Sequence, residues 1–218
     1  MTNKNIKLAI FDMDGLLLDS ERLYEDFFFK TTKQFGYEGT KEIYSLCIGI
    51  GNHNIRRILR ERFGQDFPAE EIEQTSYKNI WKHVQTHGID QKTGVKEVLA
   101  RLKQLNIPAA VASSNDKNFV HFALERSGLA GEFKVINTAG DVERTKPAPD
   151  LFLKTAKDFN IAPKDCIVFE DSENGVLAAE AAGIPVVLIP DIKDPAKEIK
   201  AKAYKVYNTL HDALELFK

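Results

Sequence analysis

The chain has 218 residues, 43% of them hydrophobic and 28% charged, with a net charge of −2. That balance is ordinary for a globular protein, and the length suits one large domain or a domain with a sizeable insertion, with room for a substantial core. It excludes a general electrostatic affinity for nucleic acid, because Lys and Arg are scattered, with no basic run beyond Arg56-Arg57.

The first apolar run, residues 6–11, reads as a buried strand and ends at Asp12-Met13-Asp14-Gly15. From about residue 19 to residue 88 no convincing strand follows. Helical periodicity recurs instead at 23–35, 55–63 and 72–84, punctuated by Gly36, Gly39, Gly64 and Pro68. From Thr93 onward helix and strand alternate. A helical pattern at 94–105 precedes a strand at 109–112, a helix at 116–127 and a short strand at 133–136. A helix at 150–159 then leads to a strand from Cys166 to Phe169. Ser172 caps the next helix and Gly183 stops it. Strands at 184–189 and 204–207 and a helix at 210–217 complete the chain. Repeated strand–helix units predict an α/β fold with a doubly wound parallel sheet. The purely helical block after the first strand predicts an inserted α-helical cap, giving a core of 1–18 and 88–218 and a cap of 19–87.

In such sheets ligands gather beyond the carboxyl ends of the strands. Asp12, Ser113, Lys146 and Asp171 all fall at such ends or in loops just past them. Carboxylates from Asp12-Met13-Asp14 and Glu170-Asp171 cannot all ionise in one crevice without a cation, and their hard oxygens suit Mg²⁺. Lys146 and the Ser113 hydroxyl add positive and donor character suited to a phosphoryl group. The N-terminus of the helix after Ser172 would add a partial positive charge. One carboxylate is then placed to attack phosphorus directly, and a neighbour two residues on to protonate the leaving oxygen and activate a water.

At Asp12-Met13-Asp14-Gly15, Ser113, Lys146-Pro147-Ala148-Pro149-Asp150 and Glu170-Asp171-Ser172 the chain resembles the haloacid dehalogenase-like hydrolase superfamily, in the family's motif order. The resemblance spans nearly the whole chain and implies a Rossmann-like core with an α-helical cap. It implies Asp12 as nucleophile, Asp14 as acid/base, and Ser113 and Lys146 as holders of the phosphoryl group. It places a metal on Asp12, the backbone carbonyl of Asp14, and Asp171, with Glu170 contributing directly or through water. Ser114 and Asn115 join the phosphate site, and Asn52 and His53 of the cap loop join the substrate site. The β-phosphoglucomutase-like branch is most similar, through Ala112-Ser113-Ser114-Asn115 and Lys-Pro-Ala-Pro-Asp. Two features depart from mutases: Tyr24 replaces their hinge histidine, and residues 49–54, Gly-Ile-Gly-Asn-His-Asn, lack their arginine. The expectation is therefore a Mg²⁺-dependent phosphatase acting on a small phosphorylated metabolite, with a mutase as the alternative. A phospho-accepting signalling module is the more distant rival, and it would need neither a lid nor Asp14.

Other features have plainer readings. Gly49 and Gly51 follow a helical pattern rather than a strand, which argues against nucleotide binding. His83 and His87 share a helix face but lack a third metal ligand. The stripe Tyr24, Phe27, Phe28, Thr31 and Phe35 reads as cap core. Lys117 is balanced between assisting the phosphate and being solvated, and the plainer alternative for Ser113 and Ser114 is to cap a helix beginning near Asp116. Cys47 and Cys166 suggest neither a disulfide nor zinc. The polar N-terminus does not read as a signal peptide, and no apolar run approaches the ~20 residues of a membrane span. A cytoplasmic protein, with no membrane association and no obligate protein partner, is expected.

Overall fold

The computed structural model describes residues 6–48 and 52–218, without the side chains of Asn52 and His53. Its strands are β1 (Leu8–Phe11), β2 (Ala109–Ala112), β3 (Val135–Asn137), β4 (Cys166–Glu170), β5 (Val186–Leu188) and β6 (Lys205–Val206). Helices α1 (Ser20–Gln34), α2 (Lys41–Ser45), α3 (Asn52–Phe63) and α4 (Ala69–His87) fill the stretch after β1. The helices α5 (Val95–Gln104), α6 (Lys117–Arg126), α7 (Asp150–Asp158), α8 (Glu173–Ala182) and α9 (Lys197–Lys200) alternate with the later strands. The chain divides into two compact units, one running up to Asp19 and again from Ile89, the other spanning Ser20–Gly88. Among the described residues no helix is long and apolar enough to cross a membrane.

In the first unit the strands form one sheet in the order β3-β2-β1-β4-β5-β6, with every neighbouring pair parallel. The order reverses beside β1: the chain steps outward to β2 and β3, then returns to β4 on the other side. A switch of this kind opens a crevice at the carboxyl ends of the two central strands. All four residues of β1 are fully buried. The run Leu-Ala-Ile-Phe lacks polar alternation because helices cover both faces of the sheet. On one face Leu8, Ile10, Ala110 and Val168 pack with Leu151 and Phe152 of α7 and Val176 and Ala179 of α8. Elsewhere Phe11 stacks on Phe169 of β4, ring centroids 4.8 Å apart, and Phe133 meets Phe11 edge-on at 6.2 Å. Burying each such ring contributes roughly 1.5–3 kcal/mol.

The segments that join the units pair with each other inside the first. Leu18 and Gln91 form an antiparallel bridge, and the Asp19 N–H donates to the Asp90 carbonyl at 2.9 Å. The Lys92 ammonium meets Asp19 at 3.5 Å and also pairs with Asp191, in the loop beyond β5.

The helical unit has its own core. Leu59, Phe67, Ile72 and Cys47 are buried, with Phe28, Phe35, Tyr37 and Phe63 packed on them. Phe63 and Phe67 stack at 4.7 Å. The stripe on α1 therefore divides: Phe28 and Phe35 join this cluster and Thr31 is buried, while Phe27 sets its ring edge-on to His83 at 5.5 Å.

Several elements differ from the sequence reading. The expected final helix is a 3₁₀ segment, Asp212–Phe217, whose entry is tied by reciprocal bonds between Thr209 and Asp212. The strand expected at 133–136 starts later, because β3 follows the register set by Ala110↔Val135 and Ala112↔Asn137. Phe133 precedes it as a buried packing residue. The short α2 was not anticipated; it is capped by Thr40, whose hydroxyl accepts from the Ile43 N–H. Neither Ser113 nor Ser114 caps α6; the Asp116 carboxylate does, accepting from Asn118 and Phe119.

Candidate active site

Asp12 leaves β1 with its N–H donating to the Phe169 carbonyl of β4 at 3.0 Å. Ser113 leaves β2 with its N–H donating to the Asn137 carbonyl at 3.0 Å. Glu170 ends β4. The ladder hydrogen bonding thus runs one residue past the strands and fixes where these side chains start. All three are buried polar residues: Asp12 is 8% exposed, Ser113 1% and Glu170 0%. Groups so desolvated need partners.

Lys146 supplies the first of them. It arrives from the loop between β3 and α7 with its side chain 5% exposed. Its ammonium lies 2.5 Å from Asp12 Oδ1 and 2.5 Å from Glu170 Oε1, and 4.9 Å over the Phe152 ring of α7. Glu170 Oε2 faces the other way and accepts from the N–H groups of Asp171 (3.0 Å) and Ser172 (3.1 Å) and from the Ser172 hydroxyl (2.9 Å). The same Ser172 oxygen accepts from the Gly175 N–H at 3.1 Å, which caps α8. One serine therefore starts the helix and holds the carboxylate that holds the lysine.

Two glycines make this approach sterically possible. Gly15 sits at φ 74°, and a β-carbon there would stand 2.4 Å from Asp171 Oδ2. At Gly175 a β-carbon would stand 1.8 Å from the Glu170 carboxyl carbon.

The balance of charge is negative. Carboxylate oxygens of Asp12, Glu170 and Asp171 all lie within 4.8 Å of one another, with the single Lys146 ammonium between two of them. Burial pushes the Asp12 carboxyl up to about 8; Lys146 pulls it down, and Glu170 and Asp14 push it up again. A carboxylate here is thus not simply ionised at neutral pH, in contrast to an exposed aspartate. For Lys146 burial works to lower the pKa, but Asp12 and Glu170 together outweigh it and hold the ammonium protonated. Hard oxygen donors, crowded and short of positive charge, match a divalent cation held by carboxylates. Asp12, Asp171 and Glu170 are the side chains that fit it, and the Asp14 side chain is not part of that triplet.

The remaining residues singled out in the sequence fall as follows. Asp14 is half-buried, and the Asn115 amide donates to its Oδ2 at 3.3 Å. The Asn115 N–H donates to Ser113 Oγ at 3.1 Å, which leaves the serine O–H as a donor for an incoming oxygen. Ser114 and Lys117 are exposed. Residues 49–51 of the cap loop and the side chains of Asn52 and His53 lie outside the described residues. The rings of His83 and His87 stack at 4.6 Å, and no third metal-ligating side chain joins them among the described residues. Burial pushes the thiols of Cys47 and Cys166 up to about 11 and about 12, so neither is an activated nucleophile. Sequence reasoning missed the supporting roles of Ser172 and Gly175. Their signal was the spacing Glu-Asp-Ser-x-x-Gly, in which a cap serine follows a buried acid.

Residues 9–189 match a family model described as haloacid dehalogenase-like hydrolase. Among similar proteins, the "Probable pseudouridine-5'-phosphatase" of Drosophila melanogaster is 33% identical over 200 residues, covering 88% of this chain and 86% of that one. The "Phosphorylated carbohydrates phosphatase" of Thermotoga maritima is 30% identical over 179 residues, covering 82% of each chain. Among solved structures, a β-phosphoglucomutase from Clostridium difficile superposes with a TM-score of 0.77 over 97% of both chains, and at 23% identity this likeness speaks to the fold.

Proposed function

The chain belongs to the haloacid dehalogenase-like hydrolase family and is a phosphatase; we propose that it hydrolyses a small phosphate monoester with Mg²⁺ through an aspartyl-phosphate on Asp12. The observation that carries this reading is the buried Lys146 ammonium, 2.5 Å from both Asp12 and Glu170, at the switch point of the sheet. A lysine so deeply desolvated, beside an acid that leads directly out of a strand, is costly as mere scaffolding. It suits a site that receives a dianionic phosphoryl group.

Lys146 and the Ser113 O–H take the phosphoryl oxygens and hold phosphorus against Asp12. A carboxylate oxygen of Asp12 bonds to phosphorus while the bond to the ester oxygen breaks, and Asp14 gives its proton to that departing oxygen. Asp14 then takes a proton from a water whose oxygen bonds to phosphorus as the Asp12 linkage breaks. Carboxylate, inorganic phosphate and the starting protonation are restored. A bound Mg²⁺, on Asp12, Asp171 and the Asp14 carbonyl, would neutralise the crowded acids and polarise the phosphoryl oxygens. Glu170, engaged by Lys146 and by the start of α8, chiefly orients the lysine. The helical unit serves as a cap that excludes bulk water. The substrate is a phosphorylated metabolite such as a sugar phosphate, and the protein works in the cytoplasm.

Hydrolysis is favoured over phosphosugar mutase chemistry by the arginines nearest the cap loop. Arg56 Nε pairs with Glu73 at 2.6 Å and Arg57 with Glu61 at 2.7 Å, so both have acidic partners within the helical unit itself. A panel of phosphate monoesters tested with Mg²⁺ measures the claim directly. Release of inorganic phosphate that disappears in Asp12→Asn and on addition of EDTA is expected. Turnover persisting in Asp12→Asn would remove the nucleophile, and turnover persisting in EDTA would remove the metal.

A further inference from the structure

Asn115 is tied to the proposed acid/base. Its side-chain amide donates from Nδ2 to Asp14 Oδ2 at 3.3 Å, joining the loop after β2 to the loop after β1. The direction of that bond is fixed by the rest of the residue. Oδ1 accepts from the Asp116 N–H at 2.8 Å, and Asp116 is the cap of α6. An amide whose oxygen is held by a backbone N–H can present only its NH₂ on the other side. The backbone is held as well: the Asn115 N–H donates to Ser113 Oγ at 3.1 Å, and its carbonyl accepts from Ala139 at 3.2 Å, beyond β3. The chain from β2, the start of α6 and the loop after β3 all converge to aim one NH₂ group at Asp14.

We infer that Asn115 is a positioning residue for Asp14, orienting its carboxyl group for both proton transfers rather than contacting the substrate's phosphate. This rests on the assignment of Asp14 as the acid/base. The lone-pair requirement explains the residue type. A carboxyl group that gives a proton to the ester oxygen and later takes one from water must keep one oxygen toward the reacting centre. A donor on Oδ2 fixes the plane of the carboxyl group and with it the direction in which the group meets the reacting centre. An aspartate at 115 would offer Asp14 an oxygen and repel it, and a serine would fall short of it.

The test is a double-mutant cycle on the full-length protein with Mg²⁺ and p-nitrophenyl phosphate as the probe, and with inorganic phosphate as the competitive inhibitor. Asn115→Ala should lower kcat about ten- to hundredfold, the range of a hydrogen bond to a charged group. It should leave inhibition by phosphate within about twofold. In the Asp14→Asn background the same substitution should change kcat by less than about twofold, since a residue acting only through Asp14 has nothing left to orient. Equal losses in both backgrounds would overturn the inference, as would a weakening of phosphate inhibition that matches the loss in kcat. Wild-type turnover by Asp14→Asn alone would instead overturn the acid/base assignment. Should Asn115→Ala fail to fold, Asn115→Asp keeps an acceptor for the Asp116 N–H. It must then show a kcat loss at least as large, and undiminished kcat would refute the role.

Discussion

The carboxyl carbon of Glu170 lies 1.8 Å from the place where a β-carbon on Gly175 would stand. The first turn of α8 and the acid that ends β4 therefore occupy space that only a glycine leaves open. Gly175→Ala must push Glu170 away from Lys146 or unwind the start of the helix. Overpacking of this kind costs about 1–3 kcal/mol. The expected outcome is a lower urea midpoint together with weakened turnover. Unchanged stability and activity would mean that the backbone relaxes freely there.

Lys146 is the cation that the buried acids share. Lys146→Ala leaves Asp12 and Glu170 facing each other without it. Removing one partner of a buried ion pair costs about 3–5 kcal/mol. Denaturation of the variant at neutral pH in EDTA should show a loss of that order, with phosphatase activity abolished. Lys146→Met should behave similarly in activity, because the loss is of charge rather than of bulk.

The position of Asp12 would make binding of the proposed Mg²⁺ depend on pH. Burial raises the pKa of its carboxyl group to about 8, with Lys146 opposing and Glu170 and Asp14 reinforcing the shift. A divalent ion needs the carboxylate, so below pH 8 it must expel a proton to bind. Apparent Mg²⁺ affinity should rise with pH, by up to about tenfold per unit, and level off above about 8. Calorimetry in buffers of different ionisation enthalpy should register proton release that fades over the same interval. An affinity flat from pH 6 to 9 would contradict the upward shift.

Asp14→Asn removes the proposed acid/base without removing the proposed nucleophile. General acid–base groups contribute typically about 10²–10⁴ in rate. With p-nitrophenyl phosphate, whose leaving group departs without a proton, the variant should still release one equivalent of nitrophenolate in a burst. Turnover should then slow, because activation of water is lost. Absence of a burst with full steady-state activity would contradict the assignment.

Much of this site could be read from the chain because its acids sit at the ends of apolar runs. Asp12 after residues 6–11, Ser113 after Val111-Ala112 and Glu170-Asp171 after Val168-Phe169 mark strand ends that a parallel sheet must gather on one side. The helix from Glu173 to Ala182 was equally legible, with Ser172 and Gly183 as its punctuation. What escaped was set by contacts distant in sequence. Nothing around Lys146 shows that it is buried between two acids, since a lysine before proline is usually solvated. Nothing around Asn115 shows that its amide reaches Asp14. The five-residue α2 carries too few positions for a helical period, and the closing 3₁₀ segment shares its apolar spacing with an α-helix.

The register of β1 has a consequence for how the molecule is made. Ala9 pairs with Ala109 on one side and with Ile167 on the other. This wholly apolar strand is thus synthesised first, yet gains its second partner only when β4 appears, more than 150 residues later. While the helical unit, built on near neighbours in sequence, can form as it leaves the ribosome, Leu8–Phe11 has no partner until β2 and then β4 appear. During that interval the nascent chain carries an unpaired, sticky edge, and shielding by a chaperone would serve it most there.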